Sequence, residues 1–168
     1  MAAPVAAANE HSPAAAAIKL DDGYQTLITI QGATTIKFWE KNVTPPGYDG
    51  GDPIDTTTMH NSVFRTMSPR ALITLSEVTL TVAYDPAVYG VESGESVSEI
   101  RAILNLNTVF TVHFPDGSTL AFWGFLRLFE PQSMEEGAQP EANITIQPTN
   151  QDGSGDEQAP VLVEVEGT

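Results

Sequence analysis

Residues 108–129 read TVFTVHFPDGSTLAFWGFLRLF, and the fold class turns on them. Thr108–Phe114 and Thr119–Phe129 are rich in Thr, Val, Leu and aromatics and flank Pro115-Asp116-Gly117-Ser118. Asp-Gly between two apolar runs is a strong hairpin signal, because glycine accepts the positive φ that so tight a turn needs. The second arm is apolar on both faces. Leu120, Phe122 and Leu126 point one way, and Trp123, Phe125 and Phe129 the other. Such a strand is expected at the centre of a sheet, with core on one side and a helix or partner on the other.

Working outward, Glu77–Tyr84 alternates with a two-residue period. Val78, Leu80, Val82 and Tyr84 share one face, and Glu77, Thr79, Thr81 and Ala83 the other. Gln25–Gln31 and Thr34–Val43, separated by Gly32-Ala33, read as a further hairpin. Glu141–Gln147 adds a strand carrying Ile144 and Ile146. One helix is predicted at about 96–106. Ser96 and Glu99 form a capping box, and Val97, Ile100, Ile103, Leu104 and Leu106 make an apolar stripe. The expected fold is mainly β: a β-sandwich or barrel-like sheets with one flanking α-helix and a long inter-strand loop. Its domain would span 21–149, between a flexible N-terminal arm (1–20) and an acidic C-terminal arm (150–168).

The loop is the segment 44–75. Its first half, TPPGYDGGDPIDTTT, is rich in proline and glycine, and the rest has weak periodicity. Loops beyond about 12–15 residues are uncommon in a compact domain unless they are functional or disordered. Tyr48, Ile54, Met59, Val63, Phe64 and Met67 are costly to leave in water, so the loop is expected to find a partner surface. In the C-terminal arm, QDGSGDEQAP reads as a linker and Val161, Val163 and Val165 as one side of a strand. That strand is either a frayed tail or one that pairs with another subunit's edge.

Composition removes whole classes of function. There are 22 acidic and 7 basic residues, for a formal net charge of −15. A phosphate backbone or an anionic membrane surface is repelled by such a chain. Charged residues are only 17% of the sequence, against about 25% in typical soluble domains, which suits surface buried between copies. Cysteine is absent, so neither disulfides nor thiolate chemistry arise. The alanine-rich N-terminus lacks a basic n-region and does not read as a signal peptide. No apolar run approaches the about 20 residues that cross a bilayer.

No catalytic pattern emerges. His11, His60 and His113 are far apart and in no zinc-binding spacing. His113 falls on the strand face opposite Phe110, Val112 and Phe114 and is expected at the surface. Asp49, Asp52 and Asp55 do not match the ligand order of an EF-hand loop and are expected to form turns. Trp39 and Trp123 lie in apolar strand runs, where burial in the core or between subunits is expected over stacking on a sugar. The chain is expected to be no enzyme and to need no cofactor.

Four stretches carry a resemblance: TIKFWEKNVTPPGYDGGDPIDTTTMHNSVFRTMSPR (35–70), AYDPAVY (83–89), FPDGSTLAFWGFLRLFEP (114–131) and ITIQPTNQDG (144–153). Together they resemble the tail tube (major tail) proteins of long-tailed bacteriophages, over roughly residues 20–153. The most specific parts are Pro45–Thr58 and the FPDGST-x-x-FWG hairpin. The resemblance implies a homo-oligomer of six-fold rings stacked into a hollow tube in the virion tail, assembled in the host bacterial cytoplasm. Its partners would be the initiator or baseplate, the terminator and the tape measure. Genomic DNA would pass through without specific binding, past a lumen lined in part by acidic side chains; no membrane would be involved. The loop would contact neighbouring subunits and rings through Pro45, Pro46, Tyr48, Asp49, Asp52, Ile54, Asp55, Met59, Phe64, Arg65, Met67 and Arg70. Two other readings remain: a monomeric carbohydrate- or host-surface-binding β-sandwich, and a tail terminator or initiator of the same fold.

Overall fold

The computed structural model describes residues 26–31, 38–85, 100–101 and 103–164. Its strands are β1 (Leu27–Ile30), β2 (Glu40–Thr44), β3 (Tyr48–Asp49), β4 (Ile54–Asp55), β5 (Met67–Ser68), β6 (Thr74–Leu75), β7 (Val78–Ala83), β8 (Thr108–His113), β9 (Thr119–Pro131), β10 (Glu141–Pro148) and β11 (Val161–Val163). A 7-stranded sheet runs β1-β8-β9-β10-β7-β2, with β11 also on β9. The fold is mainly β and barrel-like, formed by one sheet curled on itself.

Among the described residues, the two strands expected to pair across Gly32-Ala33 do not pair with each other. β1 pairs with β8 and β2 with β7, at opposite ends of the sheet order. Curling explains how consecutive strands stay near each other without pairing, since the two ends of the sheet meet. Leu27 of β1 shares a shallow cleft with Phe38, Trp39 and Lys41 beside β2. Gly32–Lys37 lies outside the described residues.

The other hairpin forms as read. Asp116 Oδ1 accepts from the Ser118 N–H (2.9 Å) and hydroxyl (2.6 Å). Gly117 supplies the positive φ (88°). β8 and β9 then pair from His113↔Thr119 to Thr108↔Gly124. This aligns Phe110 with Phe122, whose rings stack at 6.0 Å inside the curl. Alternation does the rest. Val78, Leu80 and Val82 of β7, Ile144 and Ile146 of β10, and Ile28 and Ile30 of β1 all turn inward and are buried. Burying each such side chain contributes roughly 1.5–3 kcal/mol, which makes this face the main stabilising element.

β9 departs from strict alternation at one place. Leu126 lies opposite Ile146 but Leu128 opposite Thr145, so the register shifts by one residue at Arg127. Such a bulge reverses the facing of everything beyond it. Phe129, expected beside Trp123 and Phe125, therefore packs on the core side, 6.2 Å from the Tyr84 ring.

The helix predicted at about 96–106 is not confirmed: of that segment the described residues are 100–101 and 103–106. Leu104 N–H donates to Ile100 C=O, and Ile100 and Ile103 are buried in the core. No helical residue is described beyond Ile103, short of the expected Leu106. Asn105 takes a left-handed φ of 60° and donates to Leu126 C=O, while Leu106 is exposed. Asparagine tolerates that conformation better than most residues, which makes it a helix terminator. The Ser96–Glu99 capping box, Val97 and the arm 1–20 lie outside the described residues.

Candidate assembly surface

The segment 44–75 is an ordered two-stranded arm. β3 pairs with β6 (Tyr48↔Leu75, Asp49↔Thr74) and β4 with β5 (Ile54↔Ser68, Asp55↔Met67). Thr56 N–H to Thr66 C=O extends the ladder outward. The periodicity is weak because the ladder is broken into short pieces. Pro45, Pro46, Pro53 and Pro69 cannot donate to it, and proline is tolerated only where a strand breaks or faces solvent.

Side chains replace the missing ladder bonds. Asp49 Oδ1 accepts from Gly51 N–H, whose φ of 70° turns the chain, and Arg70 Nε donates to Asp52 C=O at 2.8 Å. Asp55 Oδ1 accepts from Thr57 N–H while Arg65 holds Oδ2 at 2.9 Å. The Thr57 hydroxyl, the Thr57 amide and Arg65 together hold the Asp55 carboxyl below the usual aspartate range. At the tip, Thr58–Asn61 is a turn clamped by Asn61, whose Oδ1 accepts from Thr58 N–H and whose Nδ2 donates to Phe64 C=O. The Asp49 and Asp55 carboxylates thus serve turns, Asp55 an ion pair as well, while Asp52 takes part through its backbone carbonyl. Among the described residues, no group of three or more potential metal-ligating side chains clusters.

The arm carries its apolar side chains outward. Tyr48, Ile54 and Met67 are exposed along it, and Met59, Val63 and Phe64 at or near its tip. The structure brings all twelve of the expected loop contact residues onto this one element. Sequence reading missed Leu72 and Ile73, 80% and 65% exposed near the root, because RALITL looks like the approach to a buried strand. Of the two settings expected for Trp39, the core of its own chain is not where it lies, since 60% of it is exposed in the single chain.

The C-terminal segment forms the wall beside the arm's root. The stretch read as a linker is a compact turn. Asp152 Oδ1 accepts from Ser154 and Asp156 N–H groups, and Asn107 Nδ2 holds Gln151 C=O. Amides of Asp156, Ser154 and Gly155 lower the Asp152 carboxyl below its usual range. β11 then pairs with its own chain, Val161↔Ala121 to Val163↔Thr119. Val161, Leu162 and Val163 remain exposed, and among the described residues no strand occupies the other edge of β11. Val165 lies outside the described residues.

No family model and no curated protein matches the chain in sequence. Solved structures match in fold. A chain from the tail of an empty gene transfer agent particle, refined with C6 symmetry, aligns at TM-score 0.57 and 10% identity over 85% of this chain and 98% of that one. A chain of the native gene transfer agent virion gives 0.56 and 9%, with the same coverage. A chain of an extracellular contractile injection system, the PVC sheath–tube complex in its extended state, gives 0.55 and 14% over 95% of this chain and 96% of that one. The alignments span nearly the full length of each matched chain, and the protein has the fold of these tail and sheath–tube chains.

Proposed function

We infer that this chain is the structural subunit of a phage tail tube, assembling into stacked six-fold rings that conduct genomic DNA during ejection. The observation that carries the reading is the arm. Side-chain hydrogen bonds hold it rigid while it presents a row of large apolar groups to water, an arrangement that makes energetic sense when another subunit covers them. The likeness in fold to a chain of a C6-symmetric tail supports the six-fold ring. Function here is assembly, not catalysis. Its partners are further copies, the initiator or baseplate, the terminator and the tape measure. Its place is the virion tail, after assembly in the host bacterial cytoplasm.

The net charge of −15 suits a conduit, because an acidic wall repels phosphates and lets DNA slide. The contacts run through the arm residues from Pro45 to Arg70 and through Val161 and Val163 of β11.

Negative-stain electron microscopy with light scattering across a concentration series tests this. Hollow tubes of uniform width are the expected result; monomers at every concentration would refute it. The exposed Trp39 favours one other reading, a monomeric glycan-binding module. Glycan binding by the monomer that is lost in Trp39→Ala would establish that alternative.

A further inference from the structure

β1 and β2 face each other across the seam of the curled sheet without pairing. Among the described residues each pairs on one side only, β1 with β8 and β2 with β7. The Gln31 N–H to Val109 C=O bond sets the alternation along β1, and Ile28 falls on a position whose backbone groups turn away from β8 into the seam. Leu27 and Trp39 flank this opening, 47% and 60% exposed, in a cleft of about 420 Å³ that Phe38 and Ala83 also line. An open strand edge with apolar side chains beside it is a template for strand addition.

One side chain stands in the opening. Glu40 Oε1 accepts from the Ile28 N–H at 2.9 Å. A bulge accompanies this reach: Glu40 lies opposite Val82 and Asn42 opposite Thr81, which makes Lys41 an extra residue in β2. Bulges re-aim the side chains beside them. The Lys41 ammonium is engaged by Glu141 and leaves the Glu40 carboxylate to the Ile28 amide.

We propose that Glu40 is an assembly latch: in the free subunit its carboxylate holds the Ile28 amide and keeps the β1 edge from templating a strand of a second copy, and it swings out when that strand enters. A hydrogen bond to a carboxylate is about twice as strong as one between neutral groups, so a single ladder bond at Ile28 does not displace it. A strand that also covers Leu27 and Trp39 gains apolar burial, and the released carboxylate regains water. The latch therefore opposes chance encounters and yields to a complete contact. It rests on the tube reading and regulates when a subunit joins.

The test compares the concentration at which assembly begins, by light scattering with negative-stain electron microscopy, in wild type, Glu40→Ala, Glu40→Gln and Gly124→Ala. Glu40→Ala is expected to assemble at a threshold roughly tenfold lower than wild type, the factor that one hydrogen bond to a charged group is worth. Glu40→Gln keeps an acceptor without the charge and is expected to fall between them. Gly124→Ala crowds the Gln147 carbonyl oxygen, 2.7 Å from the added Cβ, and weakens the fold with the latch intact; its threshold is expected not to fall. Wild-type tubes with no lower threshold in Glu40→Ala, or an equal drop in Gly124→Ala, overturn the latch alone and leave the tube reading intact. Monomers in every variant at every concentration overturn both.

Discussion

The Glu40 carboxylate accepts a hydrogen bond from the Ile28 backbone N–H at 2.9 Å, joining the two ends of the curled sheet. Gln31 N–H bonds to Val109 C=O across the β1–β8 pair, so by the antiparallel pattern Ile28 and Ile30 direct their backbone groups away from β8. Glu40 stands where another strand would lie. An open edge is a template for further pairing, and a carboxylate on it satisfies a donor without extending the sheet.

Burial pushes the Glu40 carboxyl above the usual glutamate range, and the Ile28 amide only partly opposes this. A raised folded-state pKa means its contribution to stability is full below about pH 4.3 and is lost as pH rises through the folded value. Glu40→Gln keeps an acceptor and removes the charge. It is expected to match or exceed the wild-type melting temperature at neutral pH and to flatten the pH dependence above the ordinary glutamate range. Glu40→Ala leaves the amide unpaired and should cost about 1–3 kcal/mol in denaturant melts. Equal melting of all three proteins at every pH would show that the clasp is inert.

At Gly124 the backbone of β10 leaves no room for a side chain on β9. A Cβ built there lies 2.7 Å from the Gln147 carbonyl oxygen, which is backbone and cannot swing aside. Gly124→Ala is therefore expected to destabilise by about 1–3 kcal/mol or more, through displacement of the strand pair. Gly50→Ala is the control, because no atom lies within 4 Å of its Cβ position. A urea melt of each variant checks the difference.

What the sequence disclosed and what it hid follow from the range of the interactions. The Asp116-Gly117 turn and the inward faces of β7, β8 and β10 are local, since a two-residue period and a turn signal lie within a few residues. The Arg127 bulge is not. It is defined by the partner strand, so Phe129 was assigned to the wrong face although Leu120, Phe122 and Leu126 were assigned correctly. Closure of the sheet is equally non-local, and Gly32-Ala33 looked like a hairpin because consecutive strands usually pair. In the arm, the apolar content was legible but the pairing was not, since its prolines erase the alternation by which strands are recognised. Leu72 and Ile73 were missed for the converse reason: a run that looks like core here faces solvent.

The C-terminal turn should be acid-sensitive with the opposite sign to Glu40. Asp152 has a lowered pKa from three amides, so its stabilisation is present above about pH 3.9 and is lost as pH falls through the folded value. Asp152→Asn should melt alike at low and neutral pH locally. Hydrogen exchange at Ser154 and Asp156 is the readout. Faster exchange in the variant than in wild type at neutral pH, converging as acid protonates Asp152, is expected. A constant ratio across pH would remove Asp152 as the cause.

Salt should stabilise the single chain. Lys41–Glu141, Arg65–Asp55 and Arg127–Glu77 are all surface pairs, and exposed pairs are worth about 0–1 kcal/mol each. Against them stands the mutual repulsion of a net charge of −15. Both interactions are screened as the Debye length falls from roughly 20 Å at about 0.02 M salt to roughly 4 Å at about 0.5 M. The pairs act at contact distance, where screening removes less, while the repulsion acts across the whole molecule and is removed almost entirely. The melting temperature of dilute monomer at neutral pH is therefore expected to rise with sodium chloride. A fall would mean that the three pairs outweigh the global repulsion, and charge neutralisation of Lys41, Arg65 and Arg127 one at a time would then identify the pair responsible.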